Sequence, residues 1–181
     1  MRKWIVGIVL ALILVLTLVG CNQAPENEER EDLSDFEYIE ENGTITITGL
    51  KNTDKKILVV PEDVTHIGRG AFSWSKMEEI TLPSTLVSIG EIAFSDCESL
   101  KKIQIPESVT SIGGYAFRGC TLLEEYNIPK AITTIPNGCF SGCNGITKIE
   151  IPSHVTSIGE YAFGDCKSVT EVIIHNNVTE I

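Results

Sequence analysis

Positive charge is scarce in this chain of 181 residues: 14 lysines and arginines face 25 aspartates and glutamates, for a net charge of −11. Such an acidic chain has no electrostatic claim on phosphate backbones or anionic lipid, which argues against nucleic acid as a partner. Histidine is rarer still, with three copies. They occupy unlike positions of the repeat described below: His66 aligns with Ser88 and Ser111, His154 with Ser108, and His175 with a strand-ending proline. No acid, base and nucleophile converge, as general acid–base or acyl-transfer chemistry requires. There is no glycine-rich loop leading into a long helix, and so no cradle for a nucleotide phosphate. The acids lack the spacing of an EF-hand loop, and the cysteines do not form facing pairs of zinc ligands. The expectation is a protein that is not an enzyme and carries no cofactor and no metal.

Long apolar runs are limited to one, from Trp4 to Val19, preceded by Arg2 and Lys3 and followed by Gly20 and Cys21. A basic head, a greasy middle and a small-residue end mark an export signal, and the run is shorter than the roughly 20 apolar residues of a comfortable membrane span. Its end, "LVGC" (Leu18 to Cys21), resembles the lipobox of bacterial lipoproteins. That resemblance implies cleavage before Cys21, lipid attachment to its sulfur, and an extracytoplasmic, membrane-anchored protein at the bacterial cell surface. Two acyl chains anchor stably where one does not. The chain from Cys21 onward holds 12 basic and 25 acidic residues, net −13. Nine of those acids and one arginine lie between Glu26 and Glu41, which reads as a solvated tether between lipid and fold.

Proline is sparse, with seven copies, yet five of them are periodic. Pro61, Pro83, Pro106, Pro129 and Pro152 follow one another at steps of 22, 23, 23 and 23 residues, and Phe72, Phe94, Phe117, Phe140 and Phe163 keep the same steps. Thus "IPESVTSIGGYAFRGC" (Ile105 to Cys120) returns two repeats later as "IPSHVTSIGEYAFGDC" (Ile151 to Cys166). A catalytic site is assembled once from unlike parts, whereas a motif at fixed period describes a building block. In "LKKIQIP", Ile103 and Ile105 alternate with Lys102 and Gln104, as a strand with one buried face does. Proline ends that strand. Gly113 permits a sharp turn, and Ala116, Phe117 and Cys120 then fall at helical spacing, one short helical turn pressed onto the core. One unit has too little apolar surface to fold alone and must bury it against the next.

These residues resemble the leucine-rich repeats of the BspA-like class of bacterial and protist surface proteins. The resemblance implies a mainly β repeat solenoid of parallel strands with an N-terminal β-hairpin cap, and a role in adhesion. On this reading residues 1–20 are a lipoprotein signal peptide, 21–35 the acidic tether, 36–57 the cap with its turn at Gly43, and 58–181 a solenoid of about five repeats with an incomplete last one. Trp74 and Ser75 stand where later repeats place cysteine, and Trp74 is expected to plug the exposed end. The fourth repeat has Pro136 in place of glycine and Cys139 in place of alanine. The last stops after its strand, so either the chain is shorter than its relatives or Val172, Ile174, Val178 and Ile181 form an open edge for a partner or second copy.

Cys97, Cys120, Cys143 and Cys166 recur at 23 residues and are expected to stack, with the phenylalanines, as buried core. A disulfide involving Cys139 and Cys143, or one between neighbouring repeats, is the alternative outside the cytoplasm. On the outward face of the strands, Glu79, Lys102, Glu125, Lys148 and Glu171 alternate in sign. Such a column sets register through cross-strand pairs or binds a ligand. With the adjacent column of Thr81, Gln104, Asn127, Glu150 and Ile173, it is the candidate binding surface for an extracellular protein or glycan. The competing expectation is a cap-and-spacer scaffold that associates through its C-terminal edge.

Overall fold

The computed structural model describes residues 33–181; the apolar run, Cys21 and most of the acidic stretch lie outside them. Each repeat forms one rung, residues 57–78, 79–101, 102–124, 125–147, 148–170 and 171–181, numbered 1 to 6 below. Ahead of them, β1 (Phe36–Glu41) and β2 (Thr44–Leu50) form the expected antiparallel hairpin. Its turn residues Asn42 and Gly43 have φ of 51° and 76°, the left-handed pair that the twist of a tight hairpin selects. β2 also runs parallel to β4 (Val64–Ile67), with Ile47 opposite Ile67. The inner strand of the cap is therefore the first strand of the solenoid.

Leu33 and Phe36 close that end of the core, and the Phe36 ring meets Phe72 edge-on at 6.2 Å. Leu33 belongs to the stretch read as tether, but its complete burial puts it in the fold. Trp74, expected as the plug, is 70% exposed. The hairpin already covers the rung that Trp74 would have sealed, and its φ of 64° directs the side chain outward from the turn.

Rungs 1, 2 and 5 carry a short strand segment on each side of the proline, and rungs 3 and 4 carry one after it and an isolated bridge residue before it. The first ladder pairs β3 (Ile57–Val59) with β5 (Glu79–Thr81) and β9 (Lys148–Ile151) with β11 (Glu171–Ile174), parallel and in register. The second runs β2, β4, β6 (Ser88–Ile89), β7 (Ser111–Ile112), and resumes as β8 (Thr134–Ile135) with β10 (Ser157–Ile158). Proline cannot donate to a ladder, so the strand stops there. Its carbonyl then accepts the N–H three residues on, as from Val109 to Pro106 at 3.1 Å.

The segment after the second strand is not a helix; among the described residues no α-helix occurs. Bonds from residue i to i−3 (Arg118 N to Tyr115 O, 3.1 Å; Cys120 N to Phe117 O, 3.3 Å) make a string of turns. The left-handed φ of Tyr115 and Gly119, 58° and 72°, breaks the helical progression. These turns still bury Ala116, Phe117 and Cys120 completely. Rings from Phe72 to Phe163 stack at 5.0, 5.2, 5.3 and 5.3 Å. Each column cysteine donates its thiol to the phenylalanine carbonyl of the rung before, Cys97 to Phe72 (3.0 Å), Cys120 to Phe94 (3.2 Å), Cys143 to Phe117 and Cys166 to Phe140 (both 3.1 Å). All five cysteines of the described residues are free thiols; the column thiols have a main-chain acceptor in place of a partner sulfur. Cys139 and Cys143 are buried, and burial pushes both thiols above their ordinary pKa.

The glycine after the second strand is required for a different reason than expected. Gly113 has no left-handed φ; a Cβ there would land on the backbone nitrogen of Glu91 in the rung below. At Gly90 and Gly159 the same atom would lie 2.7 Å from Arg69 N and 2.6 Å from Asn137 N. At these three glycines the rungs approach each other backbone to backbone, and a side chain does not fit.

The second ladder has one seam, between rungs 3 and 4; the first ladder has no strand pairing between rungs 2 and 3 or between rungs 4 and 5. Gly90, Gly113 and Gly159 each donate an N–H to an isoleucine carbonyl of the preceding rung at 2.8 Å. Pro136 has none to give, so the second ladder breaks between β7 and β8. In the first ladder a single bridge joins Lys102 to Glu125. The Asn127 side chain replaces further strand bonds, accepting from Ile105 N at 2.7 Å and donating to Ile105 O at 2.8 Å. The turns stay joined across the seam, as in Phe117 N to Cys139 O at 2.9 Å.

Gly113→Ala should therefore cost at least about 2 kcal/mol in urea unfolding. Gly114→Ala is the control, because its Cβ would meet nothing nearer than Asn137 O at 3.4 Å. Equal stability of the two variants would contradict the close-approach account.

Candidate functional site

The strand face is where the outward residues of the first ladder meet solvent. Period-two alternation sends Ile103, Ile105, Ile149 and Ile151 into the core and leaves the charged column outside. The eight candidate residues divide between two depressions. Glu79, Thr81, Lys102 and Gln104 line one of about 280 Å³ over rungs 1 to 3. Glu125, Asn127, Lys148 and Glu150 line the other, a groove of about 620 Å³ mainly over rungs 4 and 5, where the first ladder has no strand pairing.

The alternating column is joined in twos. Lys102 pairs with Glu125 of the next rung, and Lys148 with Glu171 at 3.7 Å. Lys148 also reaches Glu150 on its own strand at 3.2 Å. The hydrogen bond to Glu150, and then the Glu171 charge, raise the Lys148 pKa. All these side chains are largely exposed, so the pairs favour correct register more than they add stability. Asn127 differs from its neighbours: its amide is spent on the Ile105 backbone and offers a ligand little.

The groove also draws in residues outside the two columns. Tyr126 takes the inward isoleucine position, and its ring packs between Phe140 (4.6 Å) and Phe163 (6.2 Å). A tyrosine is longer than the isoleucine it replaces, so its hydroxyl ends inside the core without a hydrogen-bond partner. Burial, and then the field of the Cys166, Cys143 and Cys139 thiols, push its pKa up. His154 also lines the groove, with Nε2 buried and unpartnered; Ser108, its counterpart two rungs earlier, donates to Leu86 O at 2.6 Å. Glu107, Glu124 and Lys130 complete the rim. The available signal was departure from consensus: tyrosine where the repeat writes isoleucine, histidine where it writes serine.

This surface offers charged and hydrogen-bonding groups to solvent. Four carboxylates and two ammonium groups line the larger groove, and the column thiols point to main-chain carbonyls in the core. Among the described residues, no cluster of three or more His, Cys, Asp and Glu side chains is placed to hold a metal ion. The His66 ring bonds the neighbouring Thr65 hydroxyl at 2.8 Å, a local contact that assembles no reacting centre. Cys21 lies outside the described residues.

Three solved structures resemble this fold. A leucine-rich repeat protein of T. pallidum aligns with TM-score 0.72 and 25% identity over 81% of this chain and 78% of that one. One from Eubacterium ventriosum gives 0.64 and 28% over 76% of this chain and 39% of that one. A third, from Bacteroides ovatus, gives 0.54 and 26% over 80% and 53%. The chain thus spans most of the first and about half or less of the other two. No curated protein sequence matches significantly. A sequence profile described as the BspA type leucine rich repeat region matches residues 44–181 in six copies, so the repeat begins within β2.

Removing the orphaned hydroxyl tests the packing of the groove floor. Tyr126→Phe should stabilise the protein by about 1–3 kcal/mol, seen as a higher urea midpoint at unchanged m-value. A loss of stability would mean that the hydroxyl has a partner in solution.

Proposed function

The chain belongs to the BspA-type leucine-rich repeat family, and from that premise we propose that it is a lipid-anchored, surface-exposed binding and adhesion module, without catalytic activity, that holds a protein or glycan partner on its strand face. The observation that carries the reading is the groove over rungs 4 and 5, where the outward columns become concave and where tyrosine and histidine replace the isoleucine and serine of other copies. The core is spent on stacking, so only the variable outward residues are free to recognise anything. On this reading the mature chain begins at Cys21, and its net charge of −13 makes a basic or uncharged partner the better fit. Among the described residues no helix is long and apolar enough to cross a membrane.

A second reading has one observation in its favour. β11 pairs only with β9, and Val172, Ile174 and Ile181 on the last rung are exposed. On that reading the chain is a cap and spacer that associates through its C-terminal edge and binds nothing by itself.

Partner capture from an extracellular-matrix extract by full-length protein separates the two. Lys102→Glu with Lys148→Glu should reduce capture at least tenfold while leaving the far-UV circular dichroism unchanged. Undiminished capture by the folded double variant would remove the strand face as the site. Cys21→Ser should shift the protein from the membrane to the soluble fraction of cells, and retention on membranes would rule out the lipid anchor.

A further inference from the structure

Asparagine followed by glycine is a chemically labile pair, because glycine has no side chain to keep its nitrogen away from the asparagine carboxamide. The chain writes it three times, at Asn42–Gly43, Asn137–Gly138 and Asn144–Gly145. The fold treats the three differently.

Two of the pairs are tied to a neighbouring rung. Gly138 is buried beside the Tyr115 ring, its N–H donates to Glu160 O at 2.9 Å, and Asn137 Oδ1 accepts from Glu160 N at 3.0 Å. Both the nitrogen and the carboxamide of that pair are held. Asn144 Oδ1 accepts from Lys167 N at 3.1 Å, and Gly145 is pressed against rung 3, where a Cβ would lie 2.6 Å from Leu123 O. Asn42–Gly43 is instead the turn of the cap hairpin, and both residues are exposed. A Cβ on Gly43 would meet no atom within 4 Å. Among the described residues, neither the Asn42 carboxamide nor the Gly43 N–H has a hydrogen-bond partner. Bringing the carboxamide onto the glycine nitrogen requires one peptide to rotate out of the left-handed turn. At the hairpin tip that rotation displaces no packed group, whereas at the other two sites it breaks contacts between rungs.

We propose that Asn42 is a self-modifying site of the cap, converting without an enzyme to isoaspartate and aspartate. The Gly43 nitrogen attacks Asn42 Cγ, forming a C–N bond and giving up its proton. The Cγ–Nδ2 bond breaks, and Nδ2 departs with that proton as ammonia, leaving a succinimide. Solvent water then adds to either ring carbonyl and opens the ring. Either product sets a carboxylate beside the exposed Glu40 and Glu41, where like charges repel. Isoaspartate also adds one atom to the main chain between Glu41 and Thr44, the pair that the turn closes. β1 carries Phe36, which shuts this end of the core, so conversion loosens the cap. The site is independent of what the strand face binds.

The test is peptide mapping by mass spectrometry of the full-length protein in detergent micelles, held in mildly alkaline buffer at body temperature, with isoaspartate scored by isoaspartyl methyltransferase labelling. In the folded protein Asn42 should convert about tenfold or more faster than Asn137 and Asn144, whereas in urea the three rates should agree within about threefold. Protein aged until Asn42 has converted should unfold at a lower urea midpoint than fresh protein, and Asn42→Gln should hold its midpoint over the same period. Comparable rates at the three sites in the folded protein would overturn the proposal. So would an Asn42 that converts in urea and stays intact in the folded state. A midpoint that falls in Asn42→Gln as fast as in the wild type would overturn the effect on the cap.

Discussion

The distance between successive rungs governs the rest of the structure. Parallel strands accept one spacing, close to 4.8 Å, and every other column has to tolerate it. Phenylalanine does so by stacking nearly face to face at 5.0 to 5.3 Å. Cysteine does so by sending a thiol to the carbonyl below. At Gly90, Gly113 and Gly159 the backbones come so close that no side chain is admitted. The recurring letters of the repeat are the solutions to one packing problem, written once per rung.

The seam between rungs 3 and 4 follows from the same constraint. One proline removes one donor, so the second ladder separates there, while the turns, and the first ladder through Asn127, remain bonded. The groove lies on the other strand segment, over rungs 4 and 5, where the first ladder has no strand pairing. Tyr126 exploits the local departure by entering the phenylalanine stack, at the cost of a buried hydroxyl with no partner. Concavity thus arises where the repeat is least faithful to itself.

This division between invariant core and variable surface is also what makes a solenoid suitable for recognition. Stacking consumes the inward residues and leaves the strand face and the turn face to vary independently. The first carries charge in alternating pairs. The second carries tyrosines held in a backbone conformation that glycine would adopt more easily.

Periodicity determined the stacked repeat unit, the inward isoleucines and phenylalanines and the cysteine column, because each is a local pattern repeated at a fixed step; the parallel-strand solenoid and the hairpin at Gly43 were what the family resemblance implied. It also identified the outward column in which Lys102 and Lys148 meet acids of the following rung. Three things were decided only by tertiary structure. Trp74 is left outside because the hairpin, distant in sequence, already closes the end. Gly113 is needed for contact with Glu91 rather than for a turn, a requirement that belongs to two rungs at once. Asn127 turns from surface residue to structural bridge because its amide meets both backbone groups of Ile105 on the rung before. In each case the deciding neighbour lies on another rung or another strand, and a single rung's sequence holds no record of it.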